Sequence, residues 1–156
     1  MAKDALVTQS VLDRLLDVQR EGRDDWPRTT RESVERFKRG VKRDLEWLLN
    51  SRQTLGNILE PYEALKKSVF NYGLPDLTTI SVNSSNDQKR LAEYLETTLS
   101  TFEPRIAHLQ VVLETAPGTN RMLKFRIEGL LRMDPEPEEI SFDTVLELTS
   151  GQYQVK

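Results

Sequence analysis

Pro104 divides the chain into two kinds of hydrophobic periodicity, and any fold must respect the division. Upstream, apolar residues recur every three or four positions, ending in Leu95, Leu99 and Phe102. Downstream of Arg105 they alternate with period two. Proline lacks the amide donor and its ring clashes with the preceding turn, so a helix must end here. The residue before a proline is pushed toward extended backbone, which makes Glu103 the first non-helical position. In extended chain, residues i and i+2 share a side, so Glu103 and Arg105 are predicted to project together from a stiff corner. Such a corner is either a surface ion pair of little energetic weight or a rigid recognition element.

Upstream of the corner the pattern is helical. Residues 1–9 read as a flexible tail and 10–156 as a single domain. Ser10 with Asp13 starts a short helix through Leu12, Leu15 and Leu16 that ends near Gln19. A charged connector with Gly22 and Pro27 follows. Thr29 and Glu32 then form a capping-box pair. Val34, Phe37, Val41, Leu45 and Leu48 line up as one narrow apolar stripe at about 100° per residue. Arg31, Lys38, Arg39 and Lys42 occupy the solvated side. Trp47 falls off the stripe, on a face with Arg36, Gly40 and Arg43. It can anchor a partner or pack under another segment of the same domain.

Pro61 opens a second short helix with Tyr62, Leu65 and Val69 predicted to point inward. The turn-rich run Asn71-Tyr72-Gly73-Leu74-Pro75-Asp76 follows, with Gly73 at positive φ. Residues 78–86 form a loop. Ser85 with Gln88 is predicted to cap a helix to Thr101 that buries Leu91, Tyr94, Leu95, Leu99 and Phe102.

Beyond Pro104, Ala107, Leu109, Val111 and Leu113 are expected on one face of a strand, with Ile106, His108, Gln110 and Val112 on the other. After a turn at 115–120, a second strand turns Leu123, Phe125, Ile127 and Leu131 inward. A third carries Ile140, Phe142, Leu146 and Leu148. Ser150-Gly151 turns the chain into a short last strand at 152–155. The expected class is α+β, with N-terminal helices packed on one face of a C-terminal antiparallel sheet of three to four strands.

Chemistry-bearing patterns are sparse. The 156 residues contain no cysteine and a single histidine, His108. Thiolate metal sites, disulfides and multi-imidazole sites are thereby excluded. Glycines are scattered singly, with no phosphate-cradling loop. Glu136, Glu138 and Glu139 are the densest acidic group, in a proline-flanked loop that suits solvent better than a metal. A net charge of −3 gives no global field for nucleic acid or membrane. No run reaches the roughly 18 apolar residues of a membrane span, and a cytoplasmic protein without cofactor or metal is expected. Glycoside hydrolysis needs only two carboxylates. A general acid must be kept protonated by burial, however, and Arg105 beside Glu103 argues against that.

Three separated runs, in order, resemble the TssE family. They are Arg43-Asp44-Leu45-Glu46-Trp47-Leu48-Leu49-Asn50, then Asn71-Tyr72-Gly73-Leu74-Pro75-Asp76, then Phe102-Glu103-Pro104-Arg105. Ser10-Val11-Leu12-Asp13-Arg14-Leu15-Leu16 resembles the family's opening helix. That family comprises baseplate wedge subunits of the bacterial type VI secretion system, related to a contractile-phage tail wedge protein once labelled a lysozyme. The resemblance implies a structural, non-enzymatic protein in a cytoplasmic baseplate docked at the inner face of the membrane. It implies TssF, TssG and TssK as baseplate partners and the sheath protein TssC as the chain whose polymerisation it helps start. It implies Glu103, Pro104 and Arg105 as protein-interaction residues. Tyr153 and Gln154 lie on a terminal strand without proline or an internal base, an edge open to strand addition by a sheath arm. The competing readings are an anti-adaptor regulatory protein of the same fold and a peptidoglycan-cleaving lysozyme.

Overall fold

The computed structural model describes residues 6–15, 29–53, 62–75, 84–114, 122–134, 136–147 and 151–156. Among these are helices α1 (Val11–Leu15), α2 (Thr30–Asn50), α3 (Glu63–Lys66) and α4 (Ser85–Phe102), and a 3₁₀ turn at Val69–Asn71. Strands β1 (Ile106–Glu114), β2 (Met122–Leu131), β3 (Glu138–Glu147) and β4 (Gln152–Val155) pair antiparallel in chain order. The apolar sides of α2 and α4 share one core with one face of the sheet, while the other face, with Lys124, Ser141, Asp143 and Gln154, is solvated. This is the α+β architecture that the change of periodicity at Pro104 predicts.

The long helices form where their stripes and caps place them. The Glu32 N–H donates to Thr29 Oγ1 at 3.2 Å, satisfying one of the orphan donors at the start of α2. Phe37, Val41, Leu45 and Leu48 are buried, with Val34 packed beside them. α4 begins at Ser85 as expected, but its cap is Ser84 rather than Ser85, accepting from the Asp87 N–H at 3.3 Å. Its buried positions Leu91, Leu95 and Leu99 recur every four residues. Tyr94, about 100° round the helix from Leu95, therefore lies on the shoulder and is exposed rather than buried.

β1 departs from simple alternation. Ala107 pairs with Leu130 and Gln110 with Glu128, so His108 and Leu109 together face Gly129. His108 takes φ 51°, the left-handed conformation of a bulge residue. A Cβ at Gly129 would sit 2.5 Å from Ile106 Cγ2, so the bulge needs a glycine opposite it. The extra residue reverses the parity of the strand. Ile106, expected on the face opposite Val111, is buried together with it.

Two apolar segments face outward, against expectation. In α3 and the turn after it, Tyr62, Leu65 and Val69 are exposed, Val69 at 87%. The segment is anchored instead by fully buried Leu74, and Tyr72 meets the Phe102 ring edge-on at 5.4 Å. Leu74 bonds the end of α2 on both sides, its N–H to Ser51 C=O and its C=O from the Gln53 N–H, each at 2.9 Å. Gly73 has φ 108°, and a Cβ there would lie 2.6 Å from Ser51 O. In α1, Leu12 and Leu15 are exposed, and the helix buries no residue of its own. It is docked by Val7, which is buried and donates its N–H to Ser33 Oγ, and by Asp13. The end expected near Gln19, the turn at 115–120, Leu148 and Ser150 lie outside the described residues.

Candidate functional site

The corner at Pro104 is the centre of a five-residue ionic cluster. The end of α4 supplies Glu103, the start of β1 supplies Arg105, α2 supplies Arg43 and Asp44, and α1 supplies Asp13. Arg105 donates through Nε and Nη2 to the two oxygens of Glu103, and Nη2 also reaches Asp44 Oδ2 at 2.7 Å. Arg43 donates through Nε and Nη2 to Asp44 Oδ1 and through Nη2 to Asp13 Oδ1 at 2.7 Å. Ser10 Oγ donates to Asp13 Oδ2 at 2.6 Å. One carboxylate, Asp44, thus holds two guanidiniums side by side, each on its own oxygen. The Arg105 Cζ also stands 5.9 Å from the Phe37 ring centroid.

Burial sets the electrostatics. Burial opposes the charge on Arg105, but Glu103 and Asp44 outweigh it and hold the guanidinium more firmly protonated than usual. The same balance raises Arg43, with Asp44 and Asp13 as partners. Burial pushes the Asp13 carboxyl up, but Ser10 and the arginines outweigh it and leave it below the usual carboxylate range. Tyr72 abuts the cluster: burial and the negative charges of Asp44 and Glu103 push its phenol up.

The corner differs from the projecting pair predicted. Glu103 is only 4% exposed and faces inward, while Pro104 is exposed and Arg105 is half-buried. The bend at Pro104 turns the carboxylate back toward α2, where Arg105 follows it. Asp44, the hub, is not apparent from local spacing because it arrives from another element. Its signal was its place on α2, about 40–60° from Val41 and Leu48 at 100° per residue. An acid on the rim of a buried stripe needs a cation or hydrogen-bond donors beside it. Asp44 is also the second carboxylate that local spacing did not place beside Glu103. The pair does not form an acid–base set, because both Glu103 oxygens are spent on Arg105.

Trp47 lies one turn beyond Arg43 on α2. It is 49% exposed. The Arg43 Cζ stacks 4.7 Å from its ring centroid. At the far end of the sheet, Tyr153 is buried against Phe125, ring centroids 5.9 Å apart. Its backbone edge is already taken. The Asn50 amide donates to Tyr153 C=O and accepts from the Tyr153 N–H, each at 2.9 Å, and Arg52 donates to Gly151 C=O. The backbone groups of adjacent Gln154 face β3 by alternation. The expectation of an open edge at Tyr153 and Gln154 is therefore corrected: the end of α2 closes it. Glu138 and Glu139, expected in an acidic loop, instead begin β3, and Glu138 pairs with Lys38 at 2.6 Å. No described helix is long and apolar enough to cross a membrane.

Comparison with family models returns one described as baseplate wedge protein gp25, matching residues 35–136. The matched stretch runs from the second turn of α2 to the residues before β3 and contains Arg43, Asp44, Trp47 and the corner. Comparison with curated proteins returns no match.

Proposed function

The chain belongs to the gp25 family of baseplate wedge proteins, a structural family, and from that premise we propose that it is the TssE-type wedge subunit of a type VI secretion baseplate. In this reading residues 10–156 act as one wedge domain. It binds TssF and TssG, with TssK in the same baseplate, and helps start the contractile sheath built with TssC. The assembly sits in the cytoplasm at the inner face of the membrane.

The observation that carries the reading is the locked corner inside the family-matched segment. Pro104 stands exposed, flanked by charges whose geometry is fixed by Asp44 and Arg43 before any partner arrives. Such preorganisation lowers the ordering cost of association. Glu103 serves the interface by holding Arg105; Pro104 and the outer side of Arg105 make the contact. The muramidase alternative finds no support in a carboxylate wholly engaged by Arg105. An anti-adaptor would bind a regulator rather than the wedge.

The sheath template in this reading is the β1 edge. Among the described residues two of its outward groups are capped: the Val111 N–H donates to Glu96 Oε1 at 2.8 Å and the Ile106 N–H to Glu103 C=O at 3.3 Å. The test is co-expression with TssF and TssG of the same locus and purification through a tag on TssG. A stoichiometric ternary complex is expected. Its absence at micromolar protein, with all three chains folded, would reject the wedge assignment.

A further inference from the structure

The β1 edge is complementary to itself. The bulge at His108 and Leu109 interrupts it, which leaves Gln110 to Glu114 as its regular stretch. Val111 and Leu113 turn their N–H and C=O groups away from β2, while Gln110, Val112 and Glu114 turn theirs toward it. Suppose a second copy lay antiparallel against this edge, with Val112 at the twofold axis. Val111 of each chain would then oppose Leu113 of the other. Each such pair exchanges both of its hydrogen bonds, so four would form. The side chains agree with that register. Gln110 would face Glu114 of the second copy, so no like charges are opposed. The two Val112 side chains, each 47% exposed, would meet at the axis. An edge of this kind pairs with its own copies unless something stops it.

Glu96 is placed to stop it. Its Oε1 accepts the Val111 N–H at 2.8 Å, in the position a neighbouring strand's carbonyl would take. Its own helix does not hold the carboxylate elsewhere. One turn away on either side lie Ala92, Glu93, Leu99 and Ser100, none of them a cation. Among the described residues no cation pairs with Glu96 from any other element. A long, flexible side chain on a single amide can be given up, and regains its rotamer freedom when it is. The number of caps to displace then differs between partners. A second copy brings its own Glu96, so two of the four hydrogen bonds are blocked and two carboxylates crowd one short seam. A strand of a different chain displaces one carboxylate and brings none. We propose that Glu96 is a displaceable cap that denies the β1 edge to a second copy of the chain while leaving it accessible to a strand of another chain. This deepens the reading of β1 as the sheath template and rests on it: the foreign strand is the sheath arm.

The experiment is sedimentation equilibrium of the full chain and its variants up to millimolar concentration. Glu96→Ala removes the cap, and alanine suits the helix it enters. Glu96→Gln keeps a neutral, weaker acceptor. Glu93→Ala removes an exposed acid of the same helix that makes no bond to β1. Glu96→Ala combined with Leu113→Pro lacks both the cap and the central edge donor. The wild type is expected to remain monomeric. Releasing two charge-assisted hydrogen bonds, each worth about tenfold, should tighten self-association roughly 100-fold in Glu96→Ala. Glu96→Gln should fall between the two, Glu93→Ala should match the wild type, and the double variant should return to monomer. A Glu96→Ala chain as monomeric as the wild type would reduce the bond to a tie between α4 and β1 and overturn the cap. Self-association that survives Leu113→Pro, or that appears equally in Glu93→Ala, would belong to another surface and overturn it too. If Glu96→Ala fails to fold, the isosteric Glu96→Gln against the wild type carries the same comparison. In cells, Glu96→Ala is expected to form sheath foci at the wild-type frequency; their loss would make Glu96 part of the sheath contact and overturn its displacement. The sedimentation series does not involve the sheath, so its failure leaves the template reading intact. Normal foci in a Leu113→Pro strain would remove the template and leave the series as it stands.

Discussion

At the scale of the residue, Asp44 carries more than its neighbours. Both its oxygens are committed, Oδ1 to Arg43 and Oδ2 to Arg105, and all three side chains are four-fifths or two-thirds shielded. Removing one partner from such a group leaves charges that cannot be fully rehydrated. Asp44→Asn is expected to cost about 2–4 kcal/mol, discounted for the residual exposure. For a chain of this size that lowers the melting midpoint by roughly 5–15 °C. Glu103→Ala should fall in the same range because Glu103 is buried. Glu63→Gln removes the exposed Glu63–Lys66 pair and should leave the midpoint where it is. Thermal melts of the three variants decide between a fold-bearing cluster and a surface ornament: equal midpoints would sink the former. The sequence showed Glu103 and Arg105 as neighbours because the one residue between them is the stiff Pro104. It could not show their exposure, because the direction of the bend depends on what α2 offers. Asp44 is 61 residues away from Arg105 in sequence.

At the scale of the element, helices with a single apolar stripe were legible, and short segments were legible in place but not in which face they bury. The stripe of Phe37, Val41, Leu45 and Leu48 repeats four times, so one face dominates whatever the tertiary context. Tyr62, Leu65 and Val69 offer only about two turns of spacing, and Leu74 wins the core position instead. In β1 a single bulge at His108 inverted an otherwise sound alternation. α1 is the extreme case: five residues cannot stand as an isolated helix, and its leucines face solvent. Its hold on α2 is Val7 and the pair Asp13–Arg43, which gives it a pH dependence of definite sign. The Asp13 carboxyl is held below its ordinary value of 3.8 in the folded state. The unfolded or undocked form therefore takes up the proton first. The stabilisation is complete above that ordinary value and is lost as pH falls through it toward the lower, docked value. The expected outcome is that the protection factor of the Arg14 amide, bonded to Ser10 C=O, drops on acidification from pH ~5 to ~3. Asp13→Asn should show the low value already at pH ~5. Hydrogen exchange followed by NMR reads this directly, and a wild-type protection factor that stays flat through the window would refute it.

At the scale of the whole molecule, the order of helices and strands was readable from Pro104, whereas the state of the sheet edges was not. Asn50 looks like helix-end punctuation, yet its amide pairs both ways with Tyr153, 103 residues on. Glu96 looks like a solvated helix residue, yet it reaches the β1 backbone at Val111. Side chains of the helical layer thus blunt both edges of the sheet, which monomers otherwise achieve with proline or charge. The two edges are not blunted equally. On β4, Asn50 satisfies both Tyr153 groups and Arg52 satisfies Gly151, leaving Val155 alone. On β1 the caps stop at two N–H groups, those of Ile106 and Val111. Because backbone direction alternates in an antiparallel pair, Val111 C=O and both groups of Leu113 also point away from β2, and among the described residues nothing answers them. A strand arriving to extend the sheet would find its donors and acceptors there. Gln154→Pro cannot test this, since its amide belongs to the β3–β4 ladder and its loss damages the sheet itself. Leu113→Pro can. Proline is tolerated on an edge strand where the missing N–H faced outward, so the variant keeps the β1–β2 ladder and removes the central donor of the open edge. Leu113→Val keeps that donor and most of the packing. The expected outcome is that both variants still purify with TssF and TssG, and that cells carrying Leu113→Pro form no sheath foci while Leu113→Val forms them at the wild-type frequency. Normal foci with the proline variant would remove β1 as the template, and loss of foci with both would trace the defect to packing at Leu113 rather than to its backbone.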